Sequence, residues 1–158
     1  MFNFTLAVCM LVIGYYCGNL FAKKFINRAS YFKSFKRFNR DFIAEISFSQ
    51  KNLQDILLKE YGFNDFDLTL KSKKIQLTND NTGLYIPPYL SDNEKKEIEE
   101  YFTRIGTTDL LTQNRVLCEY DKIIDEKSKI AIDEEKKYST LFKKTGVLVG
   151  LIAFIIVV

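Results

Sequence analysis

The sequence predicts a mainly α protein: a membrane-anchored helical bundle with an N-terminal and a C-terminal transmembrane helix. Three observations point there. The 23 basic and 20 acidic side chains of this 158-residue chain all lie between Lys23 and Lys144. Hydrophobic residues fill 16 of the first 21 positions and 11 of the last 14, so neither end has a helix face that water could solvate. The charged centre repeats apolar residues at helical spacing and contains only two Pro. These observations set a transmembrane helix over 1–21, a cytosolic helical domain over 22–144 and a C-terminal membrane segment over 145–158.

Composition also argues against most catalysis. The chain has no His, which removes the usual neutral-pH base and metal ligand. Its three Cys (Cys9, Cys17, Cys118) are too scattered for a zinc or CxxC site, and no phosphate-binding glycine loop or nucleophile-elbow motif is present. The expectation is a non-enzyme with no metal, no cofactor and no disulfide.

The first helix has 20 apolar-dominated positions from Phe2 to Phe21, about 30 Å, which matches the hydrocarbon core of a bilayer. A cleaved signal is disfavoured because no basic residue precedes the apolar run and no small-x-small site follows it; bulky Val8 argues against a lipoprotein site at Cys9. Between Ala22 and Arg40 come seven basic and no acidic side chains, beginning with Lys23, Lys24 and Arg28. Lys143 and Lys144 border the other apolar end, so the positive-inside bias places the centre in the cytosol and both termini outside. The tail from Thr145 is the weaker span at 14 residues, about 21 Å, and crosses only if Leu141 and Phe142 sink while the two lysines snorkel. Gly14 with Gly18 (and Ala22 one step on) and Gly146 with Gly150 form GxxxG faces suited to close helix packing, although Gly is common in membrane helices anyway.

From Lys23 to Phe48 the rings Phe25, Phe32, Phe35 and Phe42 share an arc with Ile43 and Ile46, while Lys33, Lys36, Arg37 and Arg40 occupy an adjacent one. Rings and bases on different faces favour core packing with a basic side toward anionic headgroups or solvent, and disfavour nucleic acid. A second helix is expected over Gln50–Tyr61, capped by Ser49, carrying Leu53, Ile56, Leu57 and Tyr61 on one face and stopped by Gly62. From Phe63 to Leu90 the apolar residues alternate (Phe66, Leu68, Leu70; Ile75, Leu77) around an Asn79–Asn81 cluster, which reads as a hairpin or a loose loop.

Ser91 stands three residues before Glu94, a capping-box spacing, and opens a helix with Ile98, Tyr101, Phe102 and Ile105 on one face. Glu94, Glu97, Glu99 and Glu100 read as its solvated side rather than an acid/base site. Gly106 and Asp109 mark the interhelix turn, and from Asp109 a helix of about 75 Å runs to the C-terminus. Leu110, Leu117, Ile124, Ala131 and Tyr138 recur at sevens, whereas Asn114, Asp121, Ser128 and Glu135 make the rest of the seam polar. This half-heptad favours packing within the chain over a two-chain coiled coil.

The layout resembles the stage III sporulation protein AB family. The resemblance rests on the run Gly14, Gly18, Ala22, Lys23, Lys24; on Glu45-Ile46 and Leu53; on Gly106, Asp109 and Gln113 at the bend; and on Tyr138 with Gly146 to Gly150. It covers most of the chain outside roughly 62–90, where this sequence is strand-like and the family continues in helices. The resemblance implies a cytosolic part similar in fold to the platform proteins of type II secretion and type IV pili, without an active site. It further implies a component of the channel between mother cell and forespore, in the mother-cell membrane, that docks a cytosolic secretion-type ATPase and couples it to other channel membrane proteins. The second reading is a self-associating membrane scaffold that works through its GxxxG faces and has no ATPase partner.

Overall fold

The computed structural model describes residues 2–48, 53–78, 83–105 and 110–157. The chain is mainly α, and no strand occurs among the described residues. Its helices are α1 (Phe2–Phe48), α2 (Leu53–Ile56), α3 (Asn64–Thr78), α4 (Asp92–Arg104), α5 (Leu110–Glu134) and α6 (Thr140–Val157), with a π-helical turn at Glu135–Ser139 joining the last two. They form two compact units, Met1–Ala29 with Lys129–Val158, and Ser30–Ser128.

In the Ser30–Ser128 unit, α1 supplies the centre of an aromatic core. Tyr31, Phe32, Phe35, Phe38 and Phe42 are all buried, joined by Tyr61, Phe66, Tyr101 and Phe102. Phe35 meets Tyr101 edge-on at 4.8 Å, Phe38 meets Tyr61 at 5.5 Å, and Tyr31 meets Phe66 at 5.2 Å, the geometry that ring quadrupoles favour. The buried arc is wider than the Phe spacing alone implies and includes Phe38 and Asn39, because neighbouring helices cover α1 on more than one side.

The basic arc departs from its expected surroundings. Lys36 forms an ion pair with Asp125, Arg40 lies 3.8 Å from Asp125 and 3.9 Å from Asp121, and Arg37 donates to the Tyr61 carbonyl at 3.5 Å. The α5 carboxylates thus take up part of a face that sequence assigned to headgroups or solvent.

Residues 64–78 overturn the strand-like reading of this stretch. Phe66, Thr69, Leu70 and Lys73 are the buried positions of α3, an i, i+3, i+4, i+7 set, whereas Leu68 and Ile75 point outward. The alternation came from outward-facing apolar residues; the true inward face is half polar. Asp65 and Asp67 stand in the first turn, where the helix dipole favours them, and Asp67 Oδ1 accepts from the Tyr61 backbone at 2.8 Å. The hydroxyls of Thr69, Ser72 and Thr78 donate back to the carbonyls of Asp65, Thr69 and Lys74.

The second helix is shorter than expected: α2 closes at Ile56 and a turn follows, with Leu58 N donating to Asp55 O at 3.3 Å. Its inward face is present, since Ile56, Leu57 and Tyr61 are buried, but Gly62, expected to stop the helix, lies six residues past its end, where it takes a left-handed φ of +80° in the connection to α3. Ser49 and Gln50 lie outside the described residues.

α4 begins with the capping box that the spacing predicts. Ser91 Oγ accepts from Glu94 N at 3.4 Å and Glu94 Oε2 accepts from Ser91 N at 2.9 Å. Ile98, Tyr101, Phe102 and Ile105 are buried as one face. Gly106 and Asp109, the interhelix turn residues, lie outside the described residues. From Leu110 the chain stays helical to Val157, interrupted in its α periodicity only by the π turn. Among the described residues, one helix is long and apolar enough to cross a membrane by length and composition: Asn114–Ile156, whose apolar window has mean hydropathy 1.7. The shorter apolar run thus qualifies because its helix continues back through Leu141 and the two lysines.

Candidate functional site: a glycine crossing and a buried polar knot

Within the Met1–Ala29 and Lys129–Val158 unit, α1 and α6 cross on glycine. A Cβ on Gly14 would lie 2.7 Å from the Gly146 carbonyl oxygen and 2.8 Å from Gly150 Cα. One on Gly18 would lie 2.6 Å from the Phe142 carbonyl, and one on Gly146 would lie 2.6 Å from that of Gly14. Gly150 is less tight, with Leu11 Cα at 3.2 Å from its hypothetical Cβ. Every one of these neighbours is backbone, which cannot swing aside as a side chain would. Backbone contact of this kind is the use to which membrane helices put small-xxx-small spacing.

Ala22, the next small residue on the α1 stripe, is fully buried. Beyond it a ring ladder takes over, with Phe21 stacked on Phe142 at 5.9 Å, Phe25 on Phe142 at 5.7 Å, and Phe25 against Tyr138 at 5.1 Å. An ion pair between Arg28 and Glu134 follows, its side chains 16% and 38% exposed. Arg28 therefore joins two helices, while Lys23, Lys24, Lys143 and Lys144 are exposed beside the ring ladder. The outer surfaces carry Val12, Ile13, Tyr16, Leu20, Leu148, Ile152, Ile155 and Ile156, all more than half exposed, which suits a hydrocarbon surrounding.

The Ser30–Ser128 unit holds a polar knot that sequence reading passed over. Asn39, fully buried on α1, donates from Nδ2 to Asp121 Oδ1 at 3.1 Å and to the Leu117 carbonyl at 3.4 Å, both on α5. Tyr101 Oη, on α4, donates to Asn39 Oδ1 at 2.9 Å. Burial pushes the Tyr101 hydroxyl well above its ordinary pKa, so it remains a donor at any neutral pH. The polar seam of α5 thus finds its partner inside the same chain: Asp121 meets Asn39, and Ser128 is buried. The available signal was an Asn lying between Phe35 and Phe42 in the apolar arc.

No group of three or more acidic or Cys side chains poised for a metal occurs among the described residues. What the two sites do is fix helices against one another, by close approach in one unit and by hydrogen bonds in the other.

No curated protein and no solved structure matches the chain. A family model does: stage III sporulation protein AB matches residues 82–158, which include the capped α4, the long α5, the π turn and the Gly146–Gly150 face. Over residues 82–158 the chain is similar to the stage III sporulation protein AB family, a likeness that points to a sporulation-related protein.

Proposed function

We propose that this protein is a non-enzymatic membrane platform component of a sporulation-type secretion channel. In this reading its two apolar ends cross the mother-cell membrane, its centre is cytosolic, and that centre docks a secretion-type ATPase while the membrane pair contacts other channel proteins. The observation that carries the reading is the glycine crossing: the two ends of the chain form one tightly apposed helix pair, and residues 30–128 make a separate helical unit with its own aromatic core. The family match over residues 82–158 supplies the sporulation context.

The same crossing weighs against the self-associating scaffold. Gly14 and Gly18 face Gly146 and Gly150, so both GxxxG faces are occupied within the chain and are not offered to a second copy.

Crosslinking of the tagged protein in sporulating cells, followed by mass spectrometry of what is attached, tests the proposal. Recovery of a cytosolic ATPase together with small membrane proteins supports it; recovery of the protein alone favours the scaffold. Topology is tested on a variant lacking Cys9 and Cys17. Protection of Cys118 from an impermeant thiol reagent in intact cells supports a cytosolic centre, and ready labelling overturns it.

A further inference from the structure

Beside the glycine crossing, α1 and α6 leave a groove of about 460 Å³ lined by Tyr15, Lys143, Lys144, Val147 and Leu148. All five residues belong to the Met1–Ala29 and Lys129–Val158 unit. Lys143 with Val147 and Lys144 with Leu148 are i, i+4 pairs, and at 100° per residue the four fall within an arc of about 140°. They make one continuous α6 face, charged at the end nearer the polar centre of the chain and apolar beyond it.

Three polar groups at this groove lack a protein partner. Lys143 and Lys144 are exposed and make no ion pair among the described residues. The acidic residues of the unit are Asp133, Glu134 and Glu135, and Glu135 lies about 12 Å back along the helix from Lys143. The Tyr15 hydroxyl makes no hydrogen bond among the described residues, although Tyr15 stands within the apolar run, about 12 Å before Lys23. Because Gly14 lies against Gly146 and Gly150, Tyr15 is also deeper in that run than the two lysines. Hydrocarbon gives an unpaired hydroxyl no acceptor, and two adjacent ammonium groups attract an anion. A ligand that answers all of these has an anionic group at the lysine end, acceptor oxygens just below it and an apolar tail along Val147 and Leu148. An anionic phospholipid carries phosphate, ester oxygens and acyl chain in that order, whereas inorganic phosphate would leave Tyr15 and the apolar half of the groove unmet.

We propose that this groove binds one anionic phospholipid, with its phosphate on Lys143 and Lys144, an ester oxygen accepting from the Tyr15 hydroxyl and an acyl chain along Val147 and Leu148. Basic pockets between membrane helices hold anionic headgroups by the same chemistry, and lysine stems can lie along apolar surface while their ammonium ends reach the headgroup. The site rests on the reading that both apolar ends lie in the bilayer, and it needs no ATPase partner.

The chain has no Trp, so one introduced indole is a specific reporter. Leu148→Trp places it in the groove, and Ile13→Trp places it in the other groove beside the crossing; the two side chains replaced are 58% and 56% exposed. Each full-length variant is reconstituted into phosphatidylcholine vesicles containing phosphatidylglycerol, with bromine on the acyl chains of one lipid or of the other at matched content. At position 148, brominated phosphatidylglycerol should quench more strongly than brominated phosphatidylcholine, whereas at position 13 the two should quench alike. Lys143→Gln and Lys144→Gln should each cut the preference at position 148 by about fivefold, and Tyr15→Phe by a smaller factor. Lys143→Arg with Lys144→Arg should keep it, and circular dichroism checks that every variant retains its helix. Equal quenching by the two lipids at position 148, the same preference at position 13, or a preference that survives removal of both lysines would overturn the lipid site while leaving the membrane reading in place. Absence of quenching by either lipid at both positions would overturn the membrane reading and the site with it.

Discussion

Tyr101 donates its hydroxyl hydrogen to Asn39 Oδ1 at 2.9 Å, and through that one amide α4 is tied to α1 and, by Asn39 Nδ2, to α5. Replacing the central residue leaves the others stranded. Asn39→Leu should cost about 2–3 kcal/mol, because a buried tyrosine hydroxyl and Asp121 each lose a partner. Tyr101→Phe should cost about 1 kcal/mol, since only one bond is removed. Circular dichroism melting of the full chain in detergent checks both, and equal losses would contradict the central place given to Asn39.

At the glycine crossing a side chain has nowhere to go. Gly14→Val or Gly146→Val should weaken the helix pair by about 1–3 kcal/mol, since the obstructing atoms are backbone. Gly83 has nothing within 4 Å of a hypothetical Cβ, so Gly83→Ala should stay within about 0.5 kcal/mol of the parent. Unfolding in mixed micelles titrated with a denaturing detergent reads the difference.

Gly62 illustrates the opposite case, open space with a demanding backbone. Its surroundings would admit a methyl group, yet its φ of +80° would not suit one. Gly62→Ala should lose about 1 kcal/mol, and a neutral result in thermal melting would show that the turn relaxes to negative φ.

Ser91 Oγ both accepts from Glu94 N and donates to Glu94 Oε2 at 2.8 Å. Ser91→Ala should cost about 1 kcal/mol, and Ser91→Asp, which keeps an acceptor at the cap but places a second carboxylate beside Glu94, should recover only part of it. Parallel melts of the two variants decide.

Alkali should unfold the Ser30–Ser128 unit. Burial raises the pKa of Tyr31, Tyr61 and Tyr101 above the ordinary value of 10.0. Above that pH the unfolded chain releases phenol protons that the folded chain retains, so stability falls as pH rises. Lys73 acts in the other direction, because burial lowers its pKa and stability gains as pH passes that lowered value, but it is one group against three. Tyrosinate absorbance rising together with loss of helix signal is the expected result, and Tyr31→Phe should make the transition shallower.

Local signals made much of this fold legible. The capping box of Ser91 with Glu94 and the Ile98, Tyr101, Phe102, Ile105 stripe each depend on residues within a few positions of one another. α3 was hidden because two of its four buried positions are Thr69 and Lys73, so the helical period was written partly in polar residues while Leu68 and Ile75 advertised alternation. The pairing of Lys36 and Arg40 with Asp125 of α5 joins positions more than 80 apart in sequence, which no periodicity encodes. The glycine faces were visible as spacings, but that they meet each other is a property of the folded chain.

The π turn at Glu135–Ser139 makes residue number matter more than residue identity there. Counting from Ala131 at about 100° per residue, an uninterrupted α-helix would carry Gly146 about 60° and Gly150 about 100° away from Ala131's line. The wider turn takes up roughly one residue's rotation and swings both glycines back toward α1. These five positions act as a phase adjuster between a stripe that repeats in sevens and one that repeats in fours. Substitutions among Glu135, Lys136, Lys137 and Ser139 leave that adjustment intact, whereas loss of a single residue would turn Gly146 and Gly150 away from Gly14 and put side chains in their place.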